Sequence, residues 1–324
     1  MSAVATVEPA GVVLLNAQAD GGRALALRRP IEAWLAHNVP GVSLLMPVNA
    51  EAAQAMLMIL APRTRVALVG GDGTLHSLLP ALMRCGHRVG LVPAGSGNDV
   101  ARALGVAHLH WAEALAYALH AQTAPIDLGQ LESEVTTRYF ASSFSVGFDA
   151  AVAARAQTPP GWLPTRHRYL WATLRELVNA QPRTLRLWAD GRAVHDGPAL
   201  FAAVLNTPTY GSGIPAVPAA RVNDHWLDLL VAGDVGRLRA LSLLPRLLRG
   251  QHMRAPEVAL HSFRKLAVEA DEPLPLAADG EVLPPARTIS VQMLPKALHL
   301  AGAHTLNAVK PRSASAPATR PGAP

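Results

Sequence analysis

Two glycine-bearing turns, Gly70-Gly71-Asp72-Gly73-Thr74 and Pro93-Ala94-Gly95-Ser96-Gly97-Asn98-Asp99, stand about twenty residues apart. Each follows an apolar run, 66–69 or 89–92, that reads as a buried strand, and each leads into a helical pattern. Glycine accepts positive φ and carries no Cβ, so such turns let main-chain N–H groups close around phosphate oxygens. The following helix points its positive end at the same place. Asp72 is the odd member of the first turn. An acid facing phosphates is repelled unless a divalent cation lies between them, so these residue types point to a magnesium nucleotide. Gly-Gly-Asp-Gly alone is also an ordinary turn sequence; the pairing of the two turns carries the reading.

Further acids sit downstream. In Ala278-Asp279-Gly280-Glu281, a carboxylate beside a γ-phosphate could accept a hydroxyl proton, whereas the Asp-Gly dipeptide alone reads as a hairpin turn. Ser145-Val146-Gly147-Phe148-Asp149-Ala150 reads by itself as a strand end and helix cap. Two polar loops follow, 206–213 and Asn223-Asp224-His225-Trp226-Leu227-Asp228.

The elements that must position these residues fall into two textures. From 12 to about 124, short apolar strands alternate with helices: strands at 12–15 and 42–45, helices at 24–36, 51–60, 75–83, 100–104 and 111–119. Alternation of this kind predicts a parallel sheet with helices on both faces and ligands at the carboxyl ends of the strands. From about 126 onward strands dominate, at 139–145, 184–188, 199–205, 227–232, 265–270 and 288–293, with one helical insertion at 166–179. That pattern predicts an antiparallel sandwich.

A chain of 324 residues suits two domains, and half its residues are apolar while 16% are charged, as in a well-buried globular protein. The net charge of +6 is almost wholly arginine, with Lys265, Lys296 and Lys310 the only lysines. Composition bias toward Ala, Arg, Leu and Pro accounts for most of it, and attraction to an anionic membrane surface is the functional alternative. The arginines are scattered without interleaved aromatics, which argues against nucleic-acid binding. A single cysteine, Cys85, excludes an internal disulfide and fits a reducing cytoplasm. No run reaches the roughly 20 apolar residues of a membrane span, and the start lacks a secretion signal. The last fifteen residues, 310–324, read as a disordered tail. Residues 237–254 place leucines among arginines, a pattern for a helix packed on the sandwich or one lying on a membrane. Trp162, Tyr169 and Trp171 read as core packing or as flanks of a lipid entrance.

The paired turns, with Arg102 and Leu104-Gly105 after them and the downstream elements in the same order, resemble the catalytic domain of the diacylglycerol kinase family, bacterial lipid kinases and sphingosine kinases included. The resemblance implies a Rossmann-like α/β nucleotide domain over 1–124, completed by 298–309, and a β-sandwich acceptor domain over 125–297. It implies ATP and Mg2+, held by Asn16, Gly70, Gly71, Asp72, Gly73, Thr74, Leu75, His76, Gly95, Ser96, Asn98 and Asp99. Glu281 becomes the catalytic base, with Asp279 and Asp72 as rivals. A structural magnesium is implied on Asp224 and the carbonyls of Arg221 and Trp226, although His225 stands where the family has glycine; a metal-free turn capped by Asp224 is the alternative. His76 matches the amide or histidine common in the family, whereas Ser77, in place of an acid, and Met46 and Ser96, in place of threonines, depart from its pattern. The expected activity is transfer of the γ-phosphate of ATP to a lipid alcohol such as diacylglycerol, by a cytoplasmic protein touching the membrane transiently. Oligomeric state stays open, a homodimer included. Two other readings are an NAD kinase, which shares the Gly-Gly-Asp-Gly turn, and a kinase fold that binds without turnover.

Overall fold

The computed structural model describes residues 11–163 and 167–303. The expected tail at 310–324, and Arg166 at the start of the expected insertion, lie outside the described residues. The first half runs β1 (Val12–Leu15), α1 (Arg28–Asn38), β2 (Ser43–Leu45), α2 (Ala50–Ile59), β3 (Arg65–Gly70), α3 (Asp72–Cys85), β4 (Arg88–Pro93), α4 (Asp99–Ala103) and α5 (Trp111–His120). The four strands are parallel in the order β2-β1-β3-β4.

Near-continuous apolar strands are buried on both faces, and their pleat sorts the side chains between two helical layers. Val12, Leu14, Val66 and Leu68 pack with Leu57 of α2 and Leu75, Leu78 and Leu82 of α3. Their neighbours Val13, Leu15, Ala67 and Val69 pack with Ile31 and Leu35 of α1 and with Leu115 and Ala118 of α5. The chain leaves β1 for β2 on one side and returns to β3 on the other. That reversal opens a crevice at the carboxyl ends of β1 and β3.

The second half comprises β5 (Thr123–Ser133), β6 (Thr137–Phe140), β7 (Ser143–Gly147), α6 (Phe148–Gln157), α7 (Arg168–Leu177), β8 (Arg183–Ala189), β9 (Arg192–Ala199), β10 (Phe201–Leu205), β11 (Leu227–Ala232), α8 (Arg237–Leu248), β12 (Val258–Phe263), β13 (Lys265–Ala278) and β14 (Glu281–Ala301). Its strand pairs are antiparallel, as the sequence pattern predicts. Phe140, Phe144, Leu187, Leu229, Val268 and Ile289 meet in its core. β14 crosses between the halves: it pairs with β13 along most of its length, then runs parallel to β4, His299 opposite Arg88.

The structure corrects several elements. The run 139–145, read as one strand, is β6 and β7, because the chain breaks at Ala141–Ser142. The insertion read at 166–179 is α7, a further helix, α6, precedes it, and the helix read at 24–36 is a 3-10 segment, Ala19–Leu27, leading into α1. β9 has polar residues on both faces and carries no apolar alternation; the Asp190-Gly191 turn before it, with φ of 49° and 79°, was its local signal.

Candidate functional site

β3 and β4 end side by side, with Ala94 donating its N–H to the Gly70 carbonyl at 2.9 Å. The two glycine turns then touch. A Cβ on Gly95 would lie 2.5 Å from the Gly71 Cα, so no side chain fits at that contact. Asn98, at a φ of 57°, closes the second turn: its Oδ1 accepts the Gly95 N–H at 3.2 Å and its Nδ2 donates to the Gly95 carbonyl at 2.7 Å. Asn16, just past β1, donates Nδ2 to Thr74 Oγ1 at 2.8 Å and ties the switch point to the first turn of α3.

Asp72 joins the turns from below. Its Oδ2 accepts the Asp99 N–H at 2.9 Å and its Oδ1 the Val100 N–H at 3.2 Å, so it caps α4. Burial first, and the nearby Asp99 charge second, raise its carboxyl to about 7, against the two backbone hydrogen bonds. The expectation that Asp72 faces phosphates meets a carboxylate turned toward α4, although the side chain still lines the cleft. Leu75, expected among the nucleotide contacts, is buried in the core, and its N–H donates to the Gly71 carbonyl. Gly70, His76 and Asn98 also lie outside the cleft lining, whereas Asn16, Gly71, Gly73, Thr74, Gly95, Ser96 and Asp99 belong to it.

Two carboxylates fasten the second half across this edge. Asp99 is buried and accepts from Thr209 Oγ1 at 2.7 Å and from the N–H groups of Gly213 at 2.9 Å and Ser212 at 3.1 Å. Burial nonetheless raises its pKa above the ordinary carboxylate value. Asp279, at a φ of 48°, accepts the N–H groups of Ala141, Ser142 and Ser143 at 2.8, 2.8 and 3.0 Å. His76 Nδ1 makes its fourth contact at 3.2 Å. Burial alone lowers the His76 pKa, but the hydrogen bond and charge of Asp279, with Glu281 beyond, outweigh it and the net shift is upward. His76 thus links α3 to the β13–β14 hairpin.

Glu281, at the start of β14, is exposed and lines the cleft. Its Oε1 stands over the first turn of α3, only 3.1 Å from where a Gly73 Cβ would be. The adjacent Gly280 leaves similar room, 3.0 Å, to the Tyr169 hydroxyl of α7. The hairpin tip therefore spans the distance between the phosphate-type turns and the helical wall.

Sequence reasoning read Asp149 by itself as a helix-cap residue and Tyr169 as core packing or an entrance flank, and gave Tyr210 no role. The Tyr210 hydroxyl donates to Asp149 Oδ1 at 2.8 Å, and burial raises the Asp149 carboxyl to about 6 from 3.8. Tyr169 is pushed far above its ordinary value, first by burial and then by the charges of Asp149, Asp99, Asp72 and Glu281. The glycine before Phe148-Asp149 was the available signal, since φ of 87° at Gly147 swings α6 into the cleft. A raised acid binds a proton in the folded state where the unfolded chain does not, so Asp149 costs stability as pH rises from 3.8 to about 6. Asp149→Asn is expected to melt higher than the parent above that window and to lose the difference below it. Parallel melting curves against pH for the two proteins are the result that contradicts this.

The turn read as a magnesium site is held by another acid that sequence reasoning missed. Buried Asp127 accepts the His225 N–H at 2.7 Å and the Lys296 N–H at 2.9 Å, with His225 Nδ1 at 3.1 Å. His225 takes a φ of 66°, so it adopts the left-handed conformation that the family's glycine would supply. Asp224 Oδ1 accepts the Trp226 N–H at 3.1 Å. Among the described residues no three His, Cys, Asp or Glu side chains gather as a metal cluster.

The glycine turns, Asp99, Asp149, Tyr169, Tyr210, Asp279 and Glu281 line one cleft of about 510 Å3, and the Asp127–His225 turn lies outside its lining. The glycine turns line one part of it; another part combines apolar Phe148, Val152, Ala156, Phe201, Leu244 and Leu247 with Asp149, Gln157, Arg168 and Thr173.

Comparison with known proteins agrees with this architecture. The diacylglycerol kinase catalytic domain matches residues 10–131, and the YegS C-terminal NAD kinase beta sandwich-like domain matches 142–302. A diacylglycerol kinase of Mycobacterium tuberculosis is 30% identical over 273 residues, 83% of this chain and 87% of that protein. One from Bacillus subtilis is 24% identical over 218 residues, 67% of this chain and 70% of that protein. A crystal structure of a diacylglycerol kinase from Bacillus anthracis shares the fold with a TM-score of 0.70 at 20% identity, covering 90% of this chain and 96% of that one. With its paired glycine turns, its sandwich and this degree of identity over most of its length, the chain belongs to the diacylglycerol kinase family of lipid kinases.

Proposed function

We propose that the protein transfers the γ-phosphate of ATP to the hydroxyl of a lipid such as diacylglycerol. The cleft carries this reading: phosphate-type turns line one part and aliphatic and aromatic side chains contribute to another, with Glu281 between them. A soluble dinucleotide acceptor has no use for these apolar side chains, which disfavours the NAD kinase alternative. Residues 1–124 with the end of β14 form the nucleotide half, and 125–297 the acceptor half.

Bound ATP and its magnesium supply the transferable phosphoryl group and offset its charge. The turns at 71–74 and 95–97 line the phosphate side, where the close Gly71–Gly95 approach keeps side chains away, although the N–H groups of Thr74 and Gly95 are already bonded within the turns. Glu281 would accept the proton of the acceptor hydroxyl as its oxygen bonds to the γ-phosphorus and the bond from that phosphorus to the β–γ bridging oxygen breaks, ADP being the leaving group. Asp72 and Asp99 hold the second turn and the 209–213 loop in register, which makes them positioning groups. A second magnesium is proposed on Asp224 with the carbonyls of Arg221 and Trp226; all-oxygen donors suit this ion. Among the described residues no helix is long and apolar enough to cross a membrane, so the lipid is proposed to be met at the bilayer surface.

The test is incubation with labelled ATP and diacylglycerol, phosphatidylglycerol, a sphingoid base, a prenol or NAD. Label in a lipid product is expected. Label in NAD alone, or ATP binding with no transfer to any acceptor, would overturn the reading.

A further inference from the structure

α8 carries leucines on more than one face. Leu243 is buried, Leu244 and Leu247 line the cleft, and Leu238, Leu241 and Leu248 are exposed, by 85, 46 and 47%. The last three, spaced i, i+3, i+10, share one stripe of the helix. α7 repeats the arrangement: Tyr169 and Thr173 line the cleft, while Leu170, Leu174 and Val178 form an exposed stripe at i, i+4, i+8. Arg237 Nε at the start of α8 donates to the Ala180 carbonyl beyond α7, which joins the two helices. Trp162, between α6 and α7, adds a further exposed ring.

Along α8 itself the charge has one sign, the acids nearby being Glu176 of α7, paired with Arg155, exposed Asp234 before α8, and Glu257, which faces Arg239 and Arg246. Residues 237–249 contain Arg237, Arg239, Arg246 and Arg249 and no acid. Arg239 is engaged by Glu257 through two hydrogen bonds of 2.8 and 3.1 Å, whereas Arg246 and Arg249 are exposed beside the leucines. We infer that α7 and α8 are the face on which the protein docks to an anionic lipid bilayer, with the exposed leucines entering the acyl boundary and Arg246 and Arg249 meeting lipid phosphates. Leucines in the interface with arginines at headgroup level are the pattern of an interfacial helix. A second copy of the chain is a poor occupant, because a two-fold contact through this face sets its arginines against their own equivalents. Docking here opens the apolar part of the cleft toward the bilayer through Leu244 and Leu247, on the cleft side of the same helix. An acyl chain can then reach the site without crossing water. The purpose, not the geometry, of the face rests on the lipid-kinase reading.

The experiment is co-sedimentation with vesicles of phosphatidylcholine alone or mixed with phosphatidylglycerol, without ATP or acceptor. The parent is expected to prefer the mixed vesicles, increasingly so as salt is lowered. Arg246→Gln/Arg249→Gln is expected to weaken binding to mixed vesicles about thirtyfold, at roughly one charge contact per arginine. Leu238→Ser/Leu241→Ser/Leu248→Ser should lose binding to both kinds of vesicle. All these side chains are exposed, so both variants should keep the parent's melting temperature and its turnover of a dispersed short-chain acceptor. Mixed-vesicle binding equal to the parent's in both variants overturns the inference. So does a parent that is dimeric and binds no vesicles, but turns monomeric in the leucine variant. If the kinase reading is the one that fails, vesicle binding persists while the dispersed-acceptor assay is blank.

Discussion

Glu281→Gln is expected to lower the turnover number about a hundred- to ten-thousandfold, the usual contribution of a positioned general base, while leaving ATP binding intact. Geometry separates Glu281 from its rivals. A carboxylate offers about four lone-pair positions. Asp279 has them filled by three N–H groups and His76, and Asp72 uses both oxygens to cap α4. Glu281 instead projects over α3 from an exposed position in the cleft. Single-turnover measurements with calorimetry of ATP binding are the check. A glutamine variant that transfers phosphate at the parent's rate would falsify the assignment.

Asp279→Ala should cost about 4 kcal/mol of folding stability, a large share of the roughly 5–15 kcal/mol a domain has. Three main-chain N–H groups at the β6–β7 break lose their acceptor, each worth about 1–3 kcal/mol when left buried and unpaired. All three belong to buried residues, Ala141, Ser142 and Ser143. The alanine must also hold a φ of 48°, a region that aspartate and asparagine tolerate better. His76 loses the carboxylate that raises its pKa, so the link between α3 and the hairpin goes as well. Asp279→Asn, which keeps one acceptor oxygen and the turn preference, should fall between. Denaturant midpoints measure this. An alanine variant within about 0.5 kcal/mol of the parent would mean that the carboxylate is not what holds the break together.

Local chemistry made the nucleotide side legible. A missing Cβ is a property of a single residue, so Gly71, Gly95 and Gly97 announced their turns through close approach and not through positive φ, and apolar runs of four to six residues announced the buried parallel strands β1, β3 and β4. The change of texture near 126 marked the antiparallel half for the same reason: alternation is a short-range signal. Partnership between distant residues has no such signature. Nothing near 127 says that this aspartate will hold turns at 225 and 296, and nothing near 76 says that its histidine will meet 279. Likewise the sequence could mark Asp72, Asp279 and Glu281 as acids in turns, but only the packing of β14 between two halves decided which oxygens were already bonded. Which acid is left to meet a substrate depends on where every N–H in the neighbourhood finds its acceptor, and that is settled only when the chain has closed.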